Sequence, residues 1–291
     1  MPQYTLADRR VVITGASSGI GLIAAQELAR NGAELILACR SEAKTAPLVD
    51  ALQRQFGESS ARFLPLDLAS FQSVRRAAQQ LLSEDVPIQA LINNAGIAAH
   101  RGVTEDGFEN TFGVNHLGHF LFTLPLLPLV ARAGQGRVIT VASRAHRDAR
   151  TLDLDIVRES TPTYTGLREY AASKLANVLF AAELARRTEG HDITSVSLHP
   201  GVVATDVWRR IPRPFSDISK LFMISEERGA RTTLHCARDP DIHIYNGKYF
   251  NKSKPQTPSK LAQDRALARD LWEHSERWTE TRLADILAAK A

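Results

Sequence analysis

A tyrosine and a lysine four positions apart, Tyr170 and Lys174, are the side chains best placed to move a proton. The residues around them recur at helical spacing and are rich in good helix formers, which predicts a helix. Residues i and i+4 lie on one helix face, so the phenol and the ammonium can reach one site. A free phenol has a pKa of about 10, and a nearby cation lowers it. The spacing alone is also typical of a half-exposed aromatic residue beside a solvated charge.

A glycine-rich turn, Gly15 to Gly21, is the second candidate site. It lies between a predicted strand ending at Thr14 and a predicted helix from Leu22 to Asn31. Glycines let the backbone approach a phosphate, and a helix N-terminus presents free N–H groups and a positive dipole end. The glycine spacing differs from the common dinucleotide fingerprint. Its place at the first strand-to-helix junction favours phosphate binding over a simple tight connection.

The second predicted strand, from Glu34 to Cys39, ends at Arg40. In dinucleotide-binding folds an acidic residue about 20 positions beyond the glycines bonds the ribose 2′-hydroxyl, while an arginine there accommodates a 2′-phosphate. No Asp or Glu precedes Glu42 at this place, so the sequence favours NADP(H) over NAD(H). The alternative is that Arg40 is only a solvated residue at a strand end.

Strand and helix patterns alternate along the chain, which predicts an α/β fold. We predict a single-domain doubly wound Rossmann fold, with a mostly parallel seven-stranded sheet and helices on both faces. Ligands of such sheets bind beyond the carboxyl ends of the strands, where the strand order reverses. Asp67, the turn from Asn93 to Gly96, and Ser143 follow predicted strands. Asp67 could equally be a helix-entry residue.

The 291 residues show no linker, repeat or composition shift, so we expect one domain over residues 1–291. Long helices are predicted over 107–131 and 261–289, and a last short strand over 247–250. The segment 201–224 mixes apolar and basic residues. We interpret it as a substrate-covering segment, with contact of residues 207–222 with a membrane surface as the alternative.

Composition argues against several classes of protein. The net charge of +4 is modest and the arginines are scattered, which argues against nucleic-acid binding. Two distant cysteines, Cys39 and Cys236, form no framework, so a reducing, cytoplasmic setting is expected. The apolar stretch 120–130 contains two prolines and is shorter than a membrane span. The nine histidines show no metal-ligand spacing, and no metal is predicted.

Together these motifs resemble the short-chain dehydrogenase/reductase family in identity, order and spacing over residues 8 to 206. They are Thr14 to Gly21, Asn93 to Gly96, Asn115, Ser143, Tyr170 with Lys174, and Pro200-Gly201. A narrower likeness, to the retinol dehydrogenase and WW-domain oxidoreductase branch, rests on four segments. They are Thr104 to Phe108, Phe112 to Phe120, Ser173 to Phe180, and Leu198 to Val202.

The resemblance implies hydride transfer between NADP(H) and a carbonyl or alcohol of a small or medium lipophilic substrate, retinal-like or another aldehyde or ketone. Tyr170 would be the general acid or base, Lys174 would lower its pKa, and Ser143 would hydrogen-bond the substrate oxygen. Asn115 would support a water that connects Lys174 to solvent. The implied coenzyme contacts are Gly15, Ser17, Ser18, Gly19, Ile20, Gly21, Arg40, Asp67, Leu68, Asn93, Ala95, Gly96, Tyr170, Lys174, Pro200, Gly201, Val203 and Thr205.

Two other hypotheses use the same fold. The first is a non-catalytic dinucleotide sensor or scaffold, which an intact set of catalytic positions disfavours. The second is an epimerase or dehydratase that retains its cofactor, which the glycine spacing and chain length disfavour. The resemblance also implies a homodimer formed through the helices around Asn115 and Lys174.

Overall fold

The computed structural model describes residues 6–201 and 225–288. The strands of this part of the chain form one sheet in the order β3-β2-β1-β4-β5-β6-β7-β8. All neighbouring strands are parallel except β7 and β8. The strands are β1 (Arg10–Thr14), β2 (Glu34–Cys39), β3 (Ala61–Pro65), β4 (Ala90–Asn93), β5 (Gly136–Val141), β6 (Ile193–His199), β7 (Tyr249–Asn251) and β8 (Lys254–Gln256).

Helices cover both faces of the sheet. They are α1 (Gly19–Arg30), α2 (Glu42–Phe56), α3 (Phe71–Glu84), α4 (Asn110–Ala131), α5 (Leu167–Arg187), α6 (Glu226–Arg238), α7 (Arg265–Thr279) and α8 (Leu283–Ala288). One core layer packs α1, α2 and α6 against the sheet. The opposite layers pack α3, α4 and α5, with α7 and α8 outside them. The doubly wound α/β class predicted from the sequence is therefore confirmed.

The central strands are apolar on both faces because both faces are covered. In β1, Val11 and Ile13 belong to the layer of α1, whereas Val12 points into the layer of α3 and α4. Strand β1 lies between β2 and β4. The chain thus runs outward in one direction to β3 and in the other from β4 to β6. The strand order reverses between β1 and β4, and that reversal opens a crevice at the carboxyl ends of the strands.

The sheet has eight strands rather than the predicted seven. Strand β8 is short, exposed and polar, and it carries no apolar alternation that would indicate a strand. It pairs with β7 through a turn at Lys252 and Ser253, which both have positive φ angles (52° and 58°). Such turns usually carry Asn-Gly, and Lys252-Ser253 does not signal a hairpin.

Two predicted helices also differ from the structure. The long C-terminal helix is two helices, because Glu280 ends α7 in a left-handed conformation with φ 48°. Helix α4 contains a π-helical stretch, Gly113–Leu117, which carries Asn115. Within the described residues α4 is the one helix long and apolar enough to cross a membrane by length and composition, and 78% of its apolar window is buried inside the protein.

Candidate active site

A cleft of about 630 Å³ opens at the carboxyl ends of the central strands. Sixteen of the predicted site residues line it, from several separate segments of the chain. They are Gly15, Ser17, Ser18, Gly19, Ile20, Gly21, Arg40, Asp67, Leu68, Ala95, Gly96, Ser143, Tyr170, Lys174, Pro200 and Gly201. Val203 and Thr205, with nearly all of the segment 201–224, lie outside the described residues.

The glycine loop forms a close-fitting cradle at the start of α1. Gly15 has a φ of +68°, and a Cβ there would lie 2.8 Å from the Cβ of Ala95. A Cβ on Gly21 would lie 2.4 Å from the Gly15 carbonyl oxygen. The first turn of α1 carries no acidic residue, and Ser18 makes no side-chain cap. The free N–H groups of this turn therefore suit a phosphate group.

The far end of the cleft is lined by residues that follow β2 and β3. Arg40 is exposed and makes no hydrogen bond or ion pair among the described residues. The Cys39 thiol is buried and accepts a hydrogen bond from the Ala16 N–H at 3.2 Å, which ties β2 to the glycine loop. The Asp67 carboxylate accepts a bond from the Ala69 N–H at 3.0 Å. An exposed guanidinium in the same cleft as the glycine cradle provides a cation for a second anionic group.

Tyr170 and Lys174 lie on the buried face of α5, as the spacing predicted. The Lys174 ammonium donates to the Val141 carbonyl at 2.9 Å and lies 5.7 Å from the centre of the Tyr170 ring. Burial lowers the pKa of Lys174 to about 8. Burial also raises the pKa of Tyr170, and a hydrogen bond with Ser143 opposes that rise. The expected lowering of the Tyr170 pKa is therefore absent, because burial outweighs the other influences on the phenol.

Asn115 lies behind the cleft rather than on its surface. Its side chain accepts a bond from the Ile97 N–H at 2.8 Å and donates to the Ile97 carbonyl at 3.0 Å and to Ser173 Oγ at 3.0 Å. Gly96 separates it from the open space, and a Cβ on Gly96 would lie 3.3 Å from both Asn115 Oδ1 and Lys174 Nζ. Asn115 thus joins the turn after β4 to α5, the helix that carries Tyr170 and Lys174.

Asn93 does not line the cleft, and its neighbour Asn94 does. The Asn93 amide is buried and donates to Thr123 Oγ1 at 2.9 Å, on the side of α4. Asn94 donates to the carbonyls of Thr14 at 2.8 Å and Gly15 at 3.2 Å. Consecutive residues at a strand end face opposite sides, so the two asparagines differ in role. The coenzyme contact expected of Asn93 stays a prediction, and Asn94 is the neighbour that lines the cleft.

His119 is a second residue of the site that the sequence did not indicate. It links α4 to the end of β1, where the strand order reverses. Its Nδ1 lies 3.1 Å from the Asn115 carbonyl, and its Nε2 lies 2.9 Å from Thr14 Oγ1. Burial lowers the His119 pKa to about 4, so the ring is neutral at pH 7. It therefore donates from Nδ1, and Thr14 donates to Nε2. Thr14 Oγ1 also accepts the N–H groups of Asn94 and Ala95 at 2.9 Å each.

The fold and the cleft define a class of protein: a dinucleotide-binding α/β oxidoreductase, with a glycine cradle at the switch point and a tyrosine, a lysine and a serine beside it. A family model described as short chain dehydrogenase matches residues 9–153. The zebrafish (Danio rerio) WW domain-containing oxidoreductase is 37% identical over 288 residues, covering 95% of this chain and 70% of that protein. Human (Homo sapiens) retinol dehydrogenase 14 is 39% identical over 292 residues, covering 92% of this chain and 85% of that protein.

A crystal structure of an uncharacterised protein from Mycobacterium paratuberculosis superposes with a TM-score of 0.76. That protein is 34% identical in sequence, and the match covers 97% of each chain. The chain therefore belongs to the short-chain dehydrogenase family, in its retinol dehydrogenase-like branch. Like other members, it is an oxidoreductase of the type that uses a nicotinamide dinucleotide and a small-molecule substrate.

Proposed function

We propose that this protein is an NADP(H)-dependent oxidoreductase that interconverts a carbonyl and an alcohol on a small or medium lipophilic substrate. The observation that carries the proposal is the meeting of Ser143, Tyr170 and Lys174 in the same cleft as the glycine cradle. Ser143 follows β5, Tyr170 and Lys174 lie on α5, and the cradle is the β1–α1 turn, so three separate segments meet in one cleft.

The coenzyme, when bound, supplies or accepts a hydride at the substrate carbon. Tyr170 donates a proton to the carbonyl oxygen during reduction, and the raised pKa of its phenol keeps that proton in place at pH 7. Ser143 donates a hydrogen bond to the same oxygen as negative charge develops there. Lys174, with a pKa of about 8, is mostly charged at pH 7 and stabilises the phenolate that Tyr170 leaves behind.

Arg40 supports the choice of NADP(H). An exposed guanidinium just after β2 suits the 2′-phosphate of NADP(H), whereas NAD(H) is bound with an acidic partner for its 2′-hydroxyl. The parts of the dinucleotide that both coenzymes share would be bound by the glycine loop, Asn94 and Asp67.

A second cavity supports a lipophilic substrate. It has a volume of about 690 Å³ and shares Ala145, Asp148 and Tyr170 with the cleft. Apolar side chains form much of its wall: Phe112, Leu152, Ile156, Val157 and Leu167. An apolar chain attached to a carbonyl at Tyr170 could extend into this cavity and so be removed from contact with water.

The test is NADPH oxidation with a panel of aldehydes, ketones and quinones that includes retinal. Tyr170→Phe removes the proton donor and keeps the ring, so we expect kcat to fall roughly 100- to 10,000-fold while NADPH still binds. Turnover by Tyr170→Phe at the wild-type rate would contradict the mechanism. Tight NADPH binding with no turnover of any panel member would favour the dinucleotide sensor.

We also propose a single folding unit in the cytoplasm. The single sheet supports the first point. Two free, buried cysteines, Cys39 and Cys236, support a reducing compartment. Fractionation of cells that express the tagged full-length chain tests the second point, and recovery in the membrane pellet would contradict it.

A further inference from the structure

The peptide bond between Ser143 and Arg144 is held on both edges by buried imidazoles. The Ser143 carbonyl lies 2.6 Å from Nδ1 of His146. The Arg144 N–H donates to Nδ1 of His199 at 3.1 Å. Both histidines are buried, with His146 0% and His199 7% exposed. One comes from the turn after β5 and the other from the end of β6, so two parts of the chain converge on a single peptide plane.

The partners of these rings fix where their protons lie. The Ser259 N–H donates to Nε2 of His146 at 3.1 Å, so that nitrogen accepts. The proton of the neutral His146 ring is therefore on Nδ1, which donates to the Ser143 carbonyl. Nδ1 of His199 accepts from Arg144, so the His199 proton is on Nε2. Burial lowers the pKa of both rings, for His199 to about 4, which keeps these neutral forms at pH 7.

The peptide that the histidines hold determines where the Ser143 hydroxyl lies. The peptide unit is planar, so holding its C=O and N–H fixes the ψ angle of Ser143. On the other side, the Ala142 N–H donates to the Leu198 carbonyl at 2.8 Å, which holds the Val141–Ala142 peptide, one residue before Ser143, against β6. The backbone is thus tied down on both sides of Ser143, which restricts the direction of its Cα–Cβ bond. The Ala145 N–H then donates to Ser143 Oγ at 3.1 Å.

We propose that His146 and His199 are positioning residues that act on the substrate through Ser143. The inference rests on the role proposed above for the Ser143 hydroxyl beside Tyr170. The C-terminal part of the chain contributes to this positioning. Ser259 orients His146, and the ring of Tyr249 packs edge-on against the His146 ring with centroids 4.9 Å apart. Neither histidine contacts the reacting atoms. If the Ser143 hydroxyl makes no contribution to the rate, the two histidines make none either.

Two pairs of variants separate the hydrogen bonds from simple packing. In His146→Asn the side-chain amide replaces Nδ1 and keeps the bond to Ser143, whereas in His146→Gln it replaces Nε2 and keeps only the bond from Ser259. In His199→Asn the carbonyl oxygen replaces Nδ1 as acceptor, and His199→Leu has no acceptor.

One hydrogen bond corresponds to roughly 3- to 10-fold in rate. We expect a loss of kcat of that size in His146→Gln and His199→Leu, a smaller loss in both asparagine variants, and an unchanged Kd for NADPH. His191→Leu, an exposed position, is the control.

The same variants in a Ser143→Ala background test whether the histidines act through the serine. We expect no further loss of kcat there. A full additional loss in the double variants, or wild-type kcat in His146→Gln, would overturn the proposal.

Amide hydrogen exchange provides a readout that does not depend on turnover. We expect the Arg144 N–H to exchange faster in His199→Leu than in wild type, with His199→Asn in between. Equal exchange in all three would overturn the proposal even in an active enzyme. If wild type turns over no substrate, the proposed function fails, and the exchange rates still decide whether the histidines hold this peptide.

Discussion

At the scale of single residues, burial sets the protonation states in the cleft. The phenol of Tyr170 has a raised pKa, and the ammonium of Lys174 has a pKa lowered to about 8. The imidazoles of His119 and His199 are neutral, with pKa values of about 4. A protonated phenol beside an ammonium is the state required to reduce a carbonyl. The histidines then serve as fixed hydrogen-bonding groups rather than as proton carriers.

Arg40 provides a prediction about coenzyme choice. Arg40→Asp replaces a cation with an anion at the place proposed for the 2′-phosphate, so NADPH affinity should fall roughly 10- to 100-fold. NADH affinity should stay the same or rise, since a carboxylate can bond a 2′-hydroxyl. Fluorescence titration of both coenzymes measures this. Arg54→Asp, on the exposed face of α2, is the matched control, and equal losses in the two variants would argue against a specific role for Arg40.

Buried histidines predict a loss of stability in acid. Burial holds the pKa values of His116, His119 and His199 at about 3, 4 and 4 in the folded protein, against about 6.5 when unfolded. Below pH 6.5 the unfolded chain therefore binds protons that the folded chain does not. The free energy of unfolding should fall by roughly 1.4 kcal/mol per pH unit for each group, down to its folded pKa.

His116→Gln tests this effect at one position. Gln keeps a hydrogen-bonding group near Ser275, which lies 3.0 Å from His116 Nε2, and does not titrate. Between pH 6 and pH 4.5 the dependence of unfolding free energy on pH should become shallower by about one proton, as measured by urea denaturation. His243→Gln, at an exposed position, should leave it as in wild type. An unchanged slope in His116→Gln would show that His116 is not the group that titrates.

At the scale of elements, α7 is what keeps α4 and α5 covered. Trp272 of α7 is 1% exposed. Its ring stacks on Phe180 of α5, with centroids 5.8 Å apart and planes at 13°. It also meets the edge of Phe120 of α4 at 5.0 Å. Since α4 carries Asn115 and α5 carries Tyr170 and Lys174, this aromatic group supports the elements on which the site is built.

Trp272→Ala should therefore lower the free energy of unfolding by about 3–5 kcal/mol through the cavity that it leaves. The loss is measured by chemical denaturation. Glu273→Ala, at the exposed neighbour, should change stability by less than about 0.5 kcal/mol. A similar small effect for both variants would mean that α7 contributes little to the packing of α4 and α5.

At the scale of the whole molecule, the two helices expected to form a dimer interface are largely buried within the chain. The exposed residues of α5 lie only at its ends, at Leu167, Arg168 and Arg186. Helix α4 is buried along most of its length under α3, α7 and α8. A dimer through these helices would require α7 to move away. The homodimer stays a prediction that sedimentation velocity of the 291-residue chain tests, and we expect any such dimer to use a surface other than these two helices.

The sequence by itself determined the order of the first seven strands and of the helices between them, the glycine cradle, and the shared face of Tyr170 and Lys174. These features depend on local rules: hydrophobic periodicity, glycine conformation and the i, i+4 spacing of a helix. Arg40, Asp67 and Ser143 could be placed at strand ends for the same reason.

Only the tertiary structure decided which of Asn93 and Asn94 faces the cleft, where the protons of His119, His146 and His199 lie, and that α7 covers α4 and α5. Each of these depends on contacts between residues far apart in the chain, such as Ser259 with His146. The pKa of Tyr170 is of the same kind. A nearby lysine could be inferred from spacing, but the burial that raises the pKa of the Tyr170 phenol comes from packing of the whole fold.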